Sequence, residues 1–83
     1  MSTLENKDIH FSALAQDVKI ENELLTVYLV DGRIISIPVA YYSRLLNATS
    51  EQRNNWRLIG NGQGIHWEEI DEDLSVEGLL KVH

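Results

Sequence analysis

The chain has 83 residues, no cysteine and a formal net charge of −6. That length allows one small domain. The missing thiols exclude disulfides and thiolate zinc sites and suit a reducing, cytoplasmic setting, and no apolar stretch approaches the ~20 residues needed to cross a bilayer.

With 43% hydrophobic and 24% charged residues, the composition is that of a globular protein, so most of the chain should fold. Residues 1–14 are mixed and polar with no sustained period, and are expected to be a loosely ordered segment ahead of a single domain over 15–83. The opening MSTLENKDIHF lacks a basic region followed by an apolar run, so no secretion signal is expected. From Asp17 a strand pattern starts, Val18 and Ile20 alternating with Lys19 and Glu21. Asn22-Glu23 reads as a turn. Leu24 to Val30 and Arg33 to Val39 are a second and a third strand, rich in β-formers.

The register of the second hairpin follows from parity. Leu25, Val27 and Leu29 form one apolar triple, and Ile35, Ile37 and Val39 another. A two-residue Asp31-Gly32 loop would put the two triples on opposite faces of the sheet. A three-residue loop, Val30-Asp31-Gly32, pairs Val27 with Ile35 and puts both on one face. The second register is predicted, with Gly32 in the left-handed conformation of a bulged turn. Pro38 cannot donate to a ladder, so the third strand should be an edge there or end nearby.

Tyr41 or Tyr42 with Leu45 and Leu46 has helical spacing, and one of the tyrosines should pack inward. Thr49 and Gln52 stand at capping-box spacing and predict a second short helix, ending near Asn54-Asn55. Trp56 to Ile59 reverts to strand alternation. Gly60 to Gly64 is a Gly-rich turn, and Ile65-His66-Trp67 is the returning strand of a short hairpin. Ser75 or Asp73 should cap a last helix, Val76 to Lys81, with Leu79 and Leu80 toward the core. The expected core is Val18, Ile20, Leu25, Val27, Leu29, Ile35, Ile37, Val39, Leu45, Trp56, Leu58, Ile65, Trp67 and Leu80. The expected fold is α+β: a small antiparallel sheet of three N-terminal strands plus a short hairpin, with two to three short helices. A homodimer would add buried surface to so small a domain, though nothing in the sequence demonstrates one.

The motifs that could carry chemistry are few. GNGQG, Gly60 to Gly64, could cradle a phosphate only with a helix N-terminus or a lysine to complete it. It lies between strands, and no Lys or Arg follows until Lys81, so it reads as a structural turn. Asp71, Asp73 and Ser75 have the alternate spacing of a calcium loop, but Val76 stands where that loop needs Gly and Val82 where it needs Glu. No cofactor or metal is therefore expected. His66 has carboxylates near in sequence but no nucleophile beside it, so a structural strand histidine is the expectation and catalysis is not.

Charge is the strongest signal. Six carboxylates, Glu68, Glu69, Asp71, Glu72, Asp73 and Glu77, fall within ten residues. Against them residues 58–83 offer only Lys81, which leaves a pole of −5. A helix N-terminus accounts for some of this charge, but not for six groups. Such a pole repels phosphate backbones, which makes direct nucleic-acid binding unexpected. It complements a basic protein. Glu68, Glu69, Asp71, Glu72 and Asp73 are the candidate contact residues, with Trp67 as an apolar anchor.

The markers Asp31-Gly32-Arg33, Pro38, Arg44-Leu45, Asn55-Trp56, Gly64-Ile65-His66-Trp67, Asp71-Glu72-Asp73 and Ser75-Val76-Glu77-Gly78-Leu79-Leu80, spread over residues 15–80, closely resemble a family of small bacterial proteins, domain of unknown function 2442 (DUF2442). The chain departs from it at Ser43, where the family often has Pro. The resemblance implies a small α+β fold, no established enzymatic activity and no catalytic residues to carry over. It also implies a partner, a small basic protein resembling domain of unknown function 4160 (DUF4160). The pair would form a toxin–antitoxin module in which this chain is the antitoxin. A second reading is a small transcriptional regulator, for which Arg33, Arg44, Arg53 and Arg57 would have to converge on one face.

Overall fold

The computed structural model describes residues 13–81. Within them the chain forms two consecutive antiparallel meanders. The first joins β1 (Ala15–Glu21), β2 (Leu24–Leu29) and β3 (Ile34–Pro38). A 3-10 turn over Val39–Tyr41 and two short helices, α1 (Ser43–Leu46) and α2 (Ser50–Asn54), cross to the second meander. That one joins β4 (Trp56–Ile59), β5 (Gly64–Trp67) and β6 (Glu72–Ser75). Helix α3 (Val76–Leu80) follows at once.

Local chemistry explains the turns. Asn22 and Glu23 both take positive φ, 52° and 63°, as a two-residue hairpin between right-twisted strands requires. The β2–β3 hairpin adopts the predicted three-residue loop. Val27 lies opposite Ile35, the Leu29 N–H donates to the Arg33 carbonyl at 2.9 Å, and Gly32 has φ 98°. The inner face of this sheet therefore carries Val18, Val27 and Ile35 in one row and Ile20, Leu25 and Ile37 in the next. β3 is an edge strand and ends at Pro38. The Thr49 capping box is complete: the Thr49 hydroxyl accepts from the Gln52 N–H at 3.1 Å, and the Gln52 side chain accepts from the Thr49 N–H at 2.9 Å.

One core joins the two sheets. Leu25, Val39, Leu45, Ile65, Trp67 and Val76 are all fully buried in it. Tyr42 packs against it while Tyr41 stays exposed, so one tyrosine does turn inward. Gly62 closes the join. A Cβ there would lie 2.5 Å from the Ala15 carbonyl oxygen, and the residue sits at φ 99°. The Gly-rich segment is thus a place where the chain passes hard against β1.

Three expectations are corrected. Glu72–Ser75 is a strand rather than a helix approach, because its backbone pairs with β5 from Trp67↔Glu72 to Gly64↔Ser75. The helix therefore starts at Val76, under a Ser75 hydroxyl that accepts from the Gly78 N–H at 2.9 Å. Its core positions are Val76 and Leu79, three apart, while Leu80 is only half-buried. Most of the segment 1–14 lies outside the described residues. At its end the Leu14 carbonyl accepts from the Val30 N–H at 2.8 Å, and β1 begins at Ala15, two residues before the Asp17 start read from the alternation.

Candidate acidic face

The pairing of β4, β5 and β6 decides which side chains meet. Trp56, Leu58, Ile65, Trp67 and Leu74 share the core side, and Arg57, His66 and Asp73 stand in a row across the solvent side. Glu68, two residues beyond His66, joins that row. The His66 Nδ1 lies 2.5 Å from an Asp73 carboxylate oxygen, and its Nε2 lies 3.1 Å from Glu68. Arg57 reaches the same Glu68 oxygen at 3.5 Å. A neutral imidazole carries one N–H, so it can donate to only one of these carboxylates. The geometry fits the imidazolium, which donates to both. The Asp73 hydrogen bond is the main cause that raises the His66 pKa above its usual value, with Glu68 adding to it against some desolvation.

The turn between β5 and β6, Glu68 to Asp71, ends on Asp71 at φ 53°. Arg44 of α1 donates to the Asp71 carbonyl and ties this turn to the helical crossing. Ile70 packs against the core beneath it. Glu69, Asp71, Asp73 and Glu77 are exposed, and Glu72 is half-buried near Tyr42. Burial first, then the Glu72 charge, pushes the Tyr42 hydroxyl pKa up. Among the described residues, no cation pairs with the carboxylates of Glu69, Asp71, Glu72 or Glu77.

Of the residues singled out from the sequence, Glu68, Glu69, Asp71, Glu72 and Asp73 come together on this hairpin. Trp67 does not join them. It is completely buried, and its indole N–H donates to the Arg53 carbonyl at 3.0 Å, so it is a core residue and not a surface anchor. Its parity with Ile65 was the available signal, since alternate strand residues face the same way. His66 and Arg57 are members of the face that sequence reasoning left out; Arg57 meets His66 across the predicted hairpin, and Asp73 reaches it from a strand the sequence did not suggest.

The arrangement is poor for a metal, because the two carboxylates grip opposite sides of one imidazole. Among the described residues no group of three His, Asp or Glu side chains could hold an ion. An open polar depression of about 500 Å³ lies elsewhere, beside Glu21, Asn22, Glu23 and Arg53. Arg53 is committed there to structure. Its guanidinium grips the Glu23 carboxylate through two bonds of 3.0 and 3.1 Å and donates to the Leu45 and Leu46 carbonyls. The hydrogen bond from Arg53 is the main cause that holds the Glu23 carboxyl below its usual pKa.

The other arginines are dispersed. Arg33 pairs with Asp31 at the far hairpin tip, Arg44 holds Asp71 and Arg57 holds Glu68. Since β2 runs from the Glu23 turn to the Asp31 turn, Arg53 and Arg33 sit at opposite ends of the first sheet. No helix among the described residues is long and apolar enough to cross a membrane.

These features define a small α+β protein of two three-stranded meanders with one strongly acidic hairpin. The chain belongs to the family described as Protein of unknown function (DUF2442), which matches residues 15–82. A crystal structure of a protein of unknown function from Rhodospirillum rubrum ATCC 11170 is similar, with a TM-score of 0.73 and 28% identity over 82% of this chain and 84% of that one. A solution NMR structure of an uncharacterized protein from Chromobacterium violaceum shares the fold, with a TM-score of 0.72 and 22% identity over 94% of this chain and 71% of that one. No curated protein matches the chain.

Proposed function

We propose that this chain is a non-enzymatic protein-binding module of the cytoplasm, the antitoxin-like member of a pair with a small basic protein of the DUF4160 kind. The observation that carries the reading is the hairpin around Glu68 to Asp73. It gathers the carboxylates of Glu69, Asp71 and Glu72, which no cation among the described residues pairs with, on a turn anchored by Arg44 and Ile70. Anchored charge steers a partner and fixes its orientation at less entropic cost than a loose acidic tail. The transcriptional-regulator reading loses support from the arginines, each of which is engaged with a different acidic residue or carbonyl and none of which forms a stripe.

The test is affinity capture from the host lysate by the wild-type chain and by a Glu69→Lys/Asp71→Asn variant, at low and high salt. A small basic protein should be held by the wild type at low salt and bound at least about tenfold more weakly by the variant, since removing steering charge slows association. Equal retention by the two proteins would refute the hairpin as the contact surface.

A further inference from the structure

The first sheet presents a surface of the opposite character. From Leu24 to Ser43 the only charged residues are Asp31 and Arg33. These two neutralise each other through a 2.9 Å ion pair, with the Asp31 carboxylate also accepting from the Arg33 N–H at 3.0 Å. The outer side of β2 and β3 is therefore uncharged. Tyr28 lies opposite Ile34, Thr26 opposite Ser36 with hydroxyls 3.1 Å apart, and Leu24 opposite Pro38. Ile34 is 62% exposed and Val30 is 59% exposed.

The edge of this sheet is also open. The bond from Leu29 to the Arg33 carbonyl sets the alternation of the ladder: Ile35 and Ile37 direct their N–H and C=O groups toward β2. Ile34 and Ser36 consequently turn their N–H and C=O groups away from β2, and no strand among the described residues lies on that side. Two of the other edges are guarded, and the third, β4, carries the charge of Arg57. On β1 the Asp17 carboxylate takes the outward Val18 N–H at 2.8 Å, and Gly62 presses on Ala15. On β6, Arg44 takes the Asp71 carbonyl at one end, and Ser75 is consumed as the cap of α3 at the other. β3 carries a guard only at its end, where Pro38 has no N–H to offer, and no charge between Ile34 and Ile37, which leaves the stretch ahead of Pro38 open to strand addition.

We infer that β3 is a dimer edge whose occupant is β3 of a second copy of this chain, paired antiparallel to give one continuous six-stranded sheet. The edge is self-complementary. With Ile35 on the two-fold axis, Ile34 of each copy faces Ser36 of the other, and all four outward N–H groups find outward carbonyls. Ile35, half-buried in the single chain, then meets its own symmetry mate. Charge selects the same geometry. Two chains of −6 repel over most of their surfaces and least where each is neutral. The acidic hairpin belongs to the other sheet, so the dimer and a basic partner use different surfaces.

The test is the mass of the purified full-length protein by light scattering and sedimentation equilibrium over a wide concentration range. The comparators are Ile34→Lys, which puts like charges across the axis, and Ser36→Pro, which removes an outward N–H while sparing every backbone bond to β2, with Ser36→Ala as the control for the lost hydroxyl contact to Thr26. Thermal melting and backbone NMR spectra establish that each variant is folded. The wild type should be a dimer that tightens as salt rises, because salt screens the repulsion of like-charged copies. Ser36→Pro should raise the dissociation constant about thirtyfold, the loss of roughly two hydrogen bonds at about 1 kcal/mol each, and Ile34→Lys should raise it through like-charge repulsion across the axis. A wild type that stays monomeric up to millimolar concentration would overturn the inference. So would a dimer that folded Ile34→Lys and Ser36→Pro both leave intact.

Discussion

Gly62 and Gly32 provide a controlled pair for measuring what the close approach of the two meanders contributes. Both have nearly the same positive φ, 99° and 98°, so an alanine at either position meets a similar conformational penalty of about 1–2 kcal/mol. They differ in space. A Cβ on Gly32 would have nothing within 4 Å, whereas one on Gly62 would lie 2.5 Å from the Ala15 carbonyl oxygen and 3.1 Å from the Ala15 nitrogen. Those atoms are backbone and cannot rotate away. Relief requires the Gly60–Gly62 turn to lift off β1, at an overpacking cost of about 1–3 kcal/mol. Gly32→Ala should therefore cost about 1–2 kcal/mol and Gly62→Ala about 2–5 kcal/mol. In a domain this small each kcal/mol moves the melting temperature by about 4–8 °C. Circular-dichroism melts of the two variants should differ by roughly 5–20 °C. Equal losses would refute the steric argument and mean that the turn gives way freely.

Two further outcomes follow from the polar contacts. The pKa of His66 is raised mainly by Asp73, so the bridge contributes fully below the unfolded imidazole value of about 6.5 and is lost as pH rises through the higher folded value. Melts of wild type and His66→Gln should converge over that rise, with an NMR titration of the His66 ring giving the midpoint; a midpoint below about 6.5 would contradict the double donation. Thr49→Ala removes the hydroxyl that accepts from Gln52 and should cost about 1 kcal/mol in urea unfolding, the usual value of an N-cap.

The parts of the fold that sequence reasoning reached are those governed by short-range rules. The β2–β3 register follows from two apolar triples and the residues available to a turn. The α2 cap follows from Thr49 and Gln52. The fate of the acidic run was hidden for a physical reason. Asp and Glu are poor strand formers, and Glu72-Asp73 just before Ser75 and an apolar stretch resembles a helix start. Pairing with β5 overrides both tendencies. Asp73 joins the row of Arg57 and His66 only through that pairing, since its separation from His66 in sequence carries no hint of contact. Arg53 was equally unreadable. Its partners Glu23 and Leu45 lie thirty and eight residues away and become neighbours only when the helical crossing folds over the first hairpin.

The arrangement of the two sheets as consecutive meanders bears on how the chain reaches this structure. Residues 15–38 and 56–75 each complete a sheet from neighbours in sequence. Every strand pairing thus closes a loop of only a few residues, at small entropic cost. Low contact order of this kind favours rapid folding. The long-range links come afterwards: Arg53 to Glu23, Arg44 to Asp71 and Gly62 against Ala15. Each of them ties an element to an already finished hairpin and so forms late, and only Gly62 against Ala15 joins the two meanders directly. A weakness in any of them would appear first as faster unfolding, with the speed of folding little changed.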